Sequence, residues 1–128
     1  MADAYDALQD LAQALAHRSR LRILEVLARD EACVCHLTAV LGEAQSHVSQ
    51  HLRVLREASL VVDRREGVMV YYRLADVRVA AIVALLKDLA RQADPSLELP
   101  PVPTAPVAGC PCPHCAAARD RVGESCSQ

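Results

Sequence analysis

The placement of proline is the strongest single limit on how this chain can fold. All seven prolines lie at or after Pro95. Proline has no backbone N–H and clashes with the preceding helical turn, so it is excluded from helix interiors and central strands. Residues 1–94 can form uninterrupted regular elements, whereas residues 95–128 cannot. We therefore expect a folded body over 1–94 and a Pro-rich, Cys-containing flexible tail over 95–128. In the tail, Pro95, Pro100, Pro101, Pro103 and Pro106 favour extended, polyproline-like chain.

The body has to pack without large aromatic rings. The chain has no Phe or Trp, and Tyr5, Tyr71 and Tyr72 are its only aromatic residues. A small core of Leu, Val, Ile and Ala is marginal alone, which favours a dimer that buries more surface. Apolar spacing gives the elements. Tyr5, Leu8, Leu11, Ala12 and Leu15 mark a first helix, and Leu21 to Leu27 a second after His17-Arg18-Ser19. Cys33 to Leu41 reads as a short third helix stopped by Gly42. Gln45 to Ala58 reads as a fourth, with Val48, Leu52 and Leu55 as its buried stripe. The period then changes. Leu60-Val61-Val62 and Val68 to Tyr72 are β-rich runs around Asp63-Arg64-Arg65-Glu66-Gly67, which predicts a hairpin. A last helix over Val77 to Ala93 is apolar around more than one face. It needs cover from its own core and from a second chain, so it is assigned with the first helix to a homodimer interface.

This order predicts a mainly α fold with a β-hairpin wing, a dimeric winged helix-turn-helix. The third and fourth helices are separated by Gly42-Glu43-Ala44, which is helix-turn-helix spacing. The fourth would be the recognition helix. Its polar face carries Gln45, Ser46, His47, Ser49, Gln50 and Arg53, side chains able to read base edges in double-stranded operator DNA. Arg64 and Arg65 are expected at the hairpin tip, against phosphate or the minor groove. The whole chain has a formal charge of −2, but residues 45–73 carry five Arg against three acids. A solvated helix face and a charged turn would look the same singly; the order of elements favours DNA contact.

The thiols are the other signal. Cys33-Val34-Cys35 sits just ahead of the reading unit, and Cys110-Pro111-Cys112-Pro113-His114-Cys115 forms a second cluster in the tail. The N-terminus has neither a basic start nor an apolar signal segment, and no stretch approaches the ~18 apolar residues of a membrane span. A cytoplasmic location is expected, where six cysteines indicate metal or redox chemistry rather than structural disulfides. Placed beside a DNA reader, a soft-metal site implies a switch.

The segments His17-Arg18-Ser19-Arg20-Leu21-Arg22-Ile23-Leu24 and Gln50-His51-Leu52-Arg53-Val54-Leu55-Arg56-Glu57-Ala58-Ser59-Leu60-Val61, followed by Gly67, Tyr71, Tyr72 and Leu74, resemble the ArsR/SmtB family of metal-responsive repressors. The resemblance runs from about residue 5 to 93. It implies a dimeric repressor that binds palindromic operators when metal-free and releases them on binding metal. Two positions depart from the family pattern. Ala44 stands where a Ser caps the recognition helix, and Ser59 stands where a Gly commonly follows it.

The resemblance also implies two alternative sensor sites. One, on the last helix, uses Asp, His, His and Glu. Asp76 matches the first, but Arg78, Leu89 and Gln92 occupy the others, so this site is rejected and Asp76 is read as a helix N-cap. The other is the Cys-Val-Cys motif, which Cys33 and Cys35 match. The third Cys of arsenic-responsive members is Thr38 here, and the N-terminal arm has no Cys. Cys110, Cys112 and Cys115 are the candidates to complete a thiolate site. The sixteen-residue tether from Asp94 to Gly109 can span tens of ångströms when extended. As(III) or Sb(III), which favour three thiolates, is the expected inducer, with Cd(II), Pb(II), Hg(II) or Zn(II) as alternatives. Residues i and i+2 of a helix point about 200° apart, so one ion shared by Cys33 and Cys35 requires the start of the third helix to shift.

Three other readings stay open beside this one. Thiol oxidation would make the same fold a redox-switch repressor. Cys112-Pro113-His114-Cys115 resembles a thiol oxidoreductase motif, or a metal carrier, but lacks the strand-then-helix setting that enzyme chemistry needs. His47 and His51, spaced i, i+4, read as DNA contacts or packing before metal ligands.

Overall fold

The computed structural model describes residues 3–102. Helix α1 (Ala4–Leu15) starts in a reciprocal cap, in which the Asp3 carboxylate accepts the Asp6 N–H and Asp6 accepts the Asp3 N–H. It buries only Ala14 and leaves Tyr5, Leu8 and Leu11 exposed. Helix α2 (Arg18–Arg29) is capped by His17, whose Nδ1 accepts from the Ser19 N–H at 3.1 Å. Its Ile23, Leu24, Val26 and Leu27 enter the core.

A two-residue strand, β1 (Ala32–Cys33), follows, and was not expected. Cys33 therefore lies outside the third helix, as its N-cap in extended backbone, rather than at its first helical position. Helix α3 (Val34–Leu41) ends at Gly42, whose φ of 68° lets its N–H turn back to the Thr38 carbonyl at 2.9 Å. Helix α4 (Gln45–Glu57) stops one residue short of the expected Ala58. Ala44 gives it no side-chain cap. At its far end the Ser59 N–H reaches the Arg56 carbonyl and the Leu60 N–H the Leu55 carbonyl, with Ser59 at φ 61°. That is a Schellman closure with serine in the left-handed position that favours glycine.

The wing comprises β2 (Val61–Glu66) and β3 (Met69–Leu74), with the turn at Gly67-Val68. Arg64 pairs with Tyr71 and Arg65 with Val70, so both arginines lie within β2 and not at the hairpin tip. The sheet continues the strand to this point because a hairpin with a two-residue turn extends pairing on both sides. β1 adds to the other edge of β3, giving antiparallel order β1-β3-β2 with Ala32 opposite Tyr72 and Cys33 opposite Tyr71.

Helix α5 (Val77–Ala93) is capped by Asp76 as expected, the carboxylate accepting from the Arg78 N–H at 2.8 Å. It lies along α2 through Val79 and Val83. After Asp94 the chain turns, the Leu97 N–H reaching the Asp94 carbonyl, and residues 99–102 run back over the α2–α5 seam, where Val102 packs on the core. Ile23, Leu24, Leu37, Val48, Leu52, Leu55 and Val61 form the fully buried centre. Burying each such side chain contributes ~1.5–3 kcal/mol. The result is a winged helix-turn-helix, mainly α with a three-stranded sheet.

Candidate DNA-binding face and thiol site

Helix α4 buries Val48, Leu52 and Leu55, which turns its other side outward. Gln45, Ser46, His47, Ser49, Gln50 and Arg53 are all exposed on that side. Arg53 is held loosely by Glu57 at 3.2 Å, both largely solvated, so it can exchange that partner for phosphate or a base. Arg56 bridges to Asp63 at 3.4 Å and ties α4 to the wing.

The position of α4 is fixed from behind by polar contacts that periodicity does not show. Ser19 donates its hydroxyl to Glu43 at 2.5 Å, joining the start of α2 to the turn between α3 and α4. Arg20 donates to the Ala14 and Gln13 carbonyls at 2.6 and 3.0 Å and approaches His51 Nδ1 at 3.4 Å. His51 also lies against the His17 ring, with centroids 4.4 Å apart, and 4.0 Å from Glu43. His51 thus faces the protein, unlike His47. Burial, together with the neighbouring His17 and Arg20, pushes its pKa below the ordinary 6.5 and favours the neutral ring.

The two wing arginines differ. Arg65 is exposed and has no ion-pair partner among the described residues. Arg64 is engaged within the protein. It donates to both Glu31 oxygens, Nε to Oε2 at 2.9 Å, and to Glu66 at 3.0 Å. Its guanidinium also lies 4.7 Å from the centre of the Tyr71 ring. The hydrogen bonds to Glu31 and then Glu66 raise its pKa further above the usual guanidinium range.

Cys33 and Cys35 have opposite surroundings. Cys33 is 1% exposed, and its sulfur accepts from the His36 N–H at 3.4 Å. Cys35 is exposed. The divergence comes from the strand-to-helix junction rather than from two positions on one helix. Thr38, at the third-thiol position of the family pattern, donates its hydroxyl to the Val34 carbonyl at 2.8 Å. His36 is buried beneath the motif. Among the described residues no group of three His, Cys, Asp or Glu is arranged to hold a metal. Cys110, Cys112 and Cys115 lie outside the described residues. At the rejected last-helix site, Asp76 is taken up by Arg78, whose guanidinium donates at 2.7 Å and helps lower the Asp76 pKa to about 2.

No helix among the described residues is long and apolar enough to cross a membrane. Residues 17–62 match the model of a bacterial regulatory protein family, the arsR family. The chain is 44% identical over 92 residues to a transcriptional repressor SmtB homolog of Synechocystis, covering 70% of each. It is 43% identical over 76 residues to the arsenic resistance transcriptional regulator ArsR1 of Pseudomonas putida, covering 59% of each. Among solved structures, a homodimeric winged helix-turn-helix DNA-binding domain from Mycobacterium bovis superposes with a TM-score of 0.66 at 32% identity. That match covers 75% of this chain and 90% of the other. Fold and relatives alike are those of DNA-binding transcriptional regulators, not enzymes.

Proposed function

The chain belongs to the ArsR/SmtB family of bacterial transcriptional regulators, and from that premise we propose that it is a homodimeric repressor released from operator DNA by a thiophilic metalloid. Helix α4 enters the major groove with Gln45, Ser46, His47, Ser49, Gln50 and Arg53 toward bases and phosphates, and Arg65 reaches backbone from the wing. The dimer forms through α1 and α5, whose Leu8, Leu11, Ile82, Leu85 and Leu89 are exposed in the single chain. Two-fold pairing places two reading helices on a palindrome.

The carrying observation is the position of the thiol pair. Cys33 caps α3 and Cys35 lies in its first turn, and α3 packs directly behind α4. For both sulfurs to bind one ion, Cys33 must leave its cap, which disturbs the support of the reading helix. As(III) or Sb(III) fits a donor set of two thiols completed by one of Cys110, Cys112 and Cys115, each thiol displacing one hydroxyl of the hydrated metalloid as water. Cd(II), Pb(II), Hg(II) and Zn(II) use the same sulfur chemistry and are the competing inducers.

The test is an absorption titration of the full chain with arsenite, Cd(II) and Zn(II), followed by operator release with each. Arsenite should release wild-type protein but neither Cys33→Ser nor Cys35→Ser, and truncation before Gly109 should blunt the response. Normal release of the Ser variants would overturn the thiol assignment. Release by peroxide alone would replace metal sensing with thiol oxidation.

A further inference from the structure

Cys33, Tyr71 and Arg64 form one row across the three strands. Cys33 is the register partner of Tyr71 on one side, and Arg64 is its partner on the other. Residues directly opposite in antiparallel strands project to the same face. Tyr71 is buried, and the Arg64 guanidinium covers its ring. The row is closed by a second link. Arg64 grips the carboxylate of Glu31, which directly precedes β1. An exposed ion pair contributes little stability in general. What distinguishes this one is the pair of segments it joins, the strand carrying the buried thiol and the wing.

We propose that Arg64 is a positioning residue that couples Cys33 to the wing through Tyr71 and Glu31. The inference rests on the reading of Cys33 as the sensing thiol. β1 is two residues long and pairs with β3 alone, so it can detach at small cost. Drawing Cys33 toward Cys35 withdraws the sulfur from the His36 N–H and pulls on β1. Glu31 moves with it, and Arg64 loses the grip that orients β2. The wing is then released along with the disturbed α3, giving the signal two routes to DNA. The geometry also explains why Arg64 and Arg65, adjacent in sequence, take different parts, since neighbours in a strand face opposite sides.

The experiment uses the full chain and a fluorescent duplex selected by the protein from a randomised pool without added metal. Anisotropy is read with and without arsenite or cadmium chloride for wild type, Arg64→Gln, Glu31→Gln and Cys33→Ser. The Arg64 and Glu31 variants should keep the wild-type thiolate–metal absorption. Without metal they should bind the duplex about fivefold or more weakly, and metal should weaken them further by a correspondingly smaller factor. Tighter binding by Glu31→Gln would show that Arg64, once freed, contacts phosphate, and would overturn the coupling. So would an undiminished metal effect in both variants when Cys33→Ser blocks release. Normal release of Cys33→Ser overturns the sensor assignment, and the coupling falls with it. Hydrogen exchange of the wild-type protein gives a readout independent of any variant's folding. Amides of β2 and β3 should exchange faster with metal bound, and unchanged protection there overturns the proposal.

Discussion

Helices α2 and α5 lie side by side but are finished differently. Helix α2 buries five of its 12 residues within the chain. Helix α5 buries two of 17, although its composition is richer in aliphatic side chains. Leu85 and Leu89 of α5 are each 62% exposed. The α2 side is therefore complete in one protomer, and its polar pins hold the DNA-facing elements in place. Helix α1 likewise leaves Tyr5 and Leu8 exposed. The buried apolar side chains are thus concentrated on α2, and much of the apolar surface of α5 and α1 is left exposed.

That contrast can be broken most strongly at Leu24. It is fully buried in α2, and Leu24→Ala should cost ~2–5 kcal/mol in urea denaturation. A loss below 1 kcal/mol would mean that α2 is not the centre of the core. On the other side, Leu85→Glu with Leu89→Glu should leave far-ultraviolet circular dichroism near wild type. Sedimentation should show a monomer, and operator affinity should fall on the order of 100-fold as the second half-site contact is lost. A dimer that survives this change places the interface elsewhere. A smaller effect of opposite sign is expected at the two ends of α4, which packs on α2. Ser59→Gly removes a left-handed serine and should stabilise by ~1 kcal/mol. Ala44→Ser should add ~0.5–1 kcal/mol through the missing cap. Neither should change the dimer constant.

Acid separates the two sides by pH window. His51, behind α4, has its folded pKa depressed below 6.5, so its contribution is intact above 6.5 and is lost as pH falls below that value. Asp76, at the head of α5, is lowered from 3.8 to about 2, so its contribution is intact above 3.8 and is lost between there and about 2. Denaturation midpoints measured across pH should show both steps. His51→Gln should remove the upper one and Asp76→Asn the lower. A single step abolished by neither variant would show that other groups control the acid response.

The helices were legible because each carries its own period. The last one, Val77–Ala93, has the bounds its apolar run predicts, and Asp76 caps it. At Ser59 the sequence shows a residue out of place beside a family pattern, but not the left-handed backbone itself. What escaped was set by partners distant in sequence. Two residues cannot declare a strand, and β1 exists only because β3 offers an edge some 38 residues later. Arg64 reads locally as a charged turn, whereas its position is decided by Glu31, 33 residues away. The His17–Arg20–Glu43–His51 cluster is hidden from local sequence patterns for the same reason. The sequence marks Cys33 and Cys35 as a pair, but their opposite burial follows from the strand-to-helix junction, which no spacing rule contains.

Lys87 is the only lysine in the chain, whose other basic side chains are all Arg or His. Its ammonium pairs with Glu25 at 3.3 Å inside the α2–α5 seam, below the returning segment 99–102. A lysine-specific protease therefore has one cleavage point, and α5 must open before the peptide bond can enter an active site. The cutting rate becomes a clock for that one seam. Mass spectrometry could follow it in the unmodified protein as operator, metal or a second protomer is added.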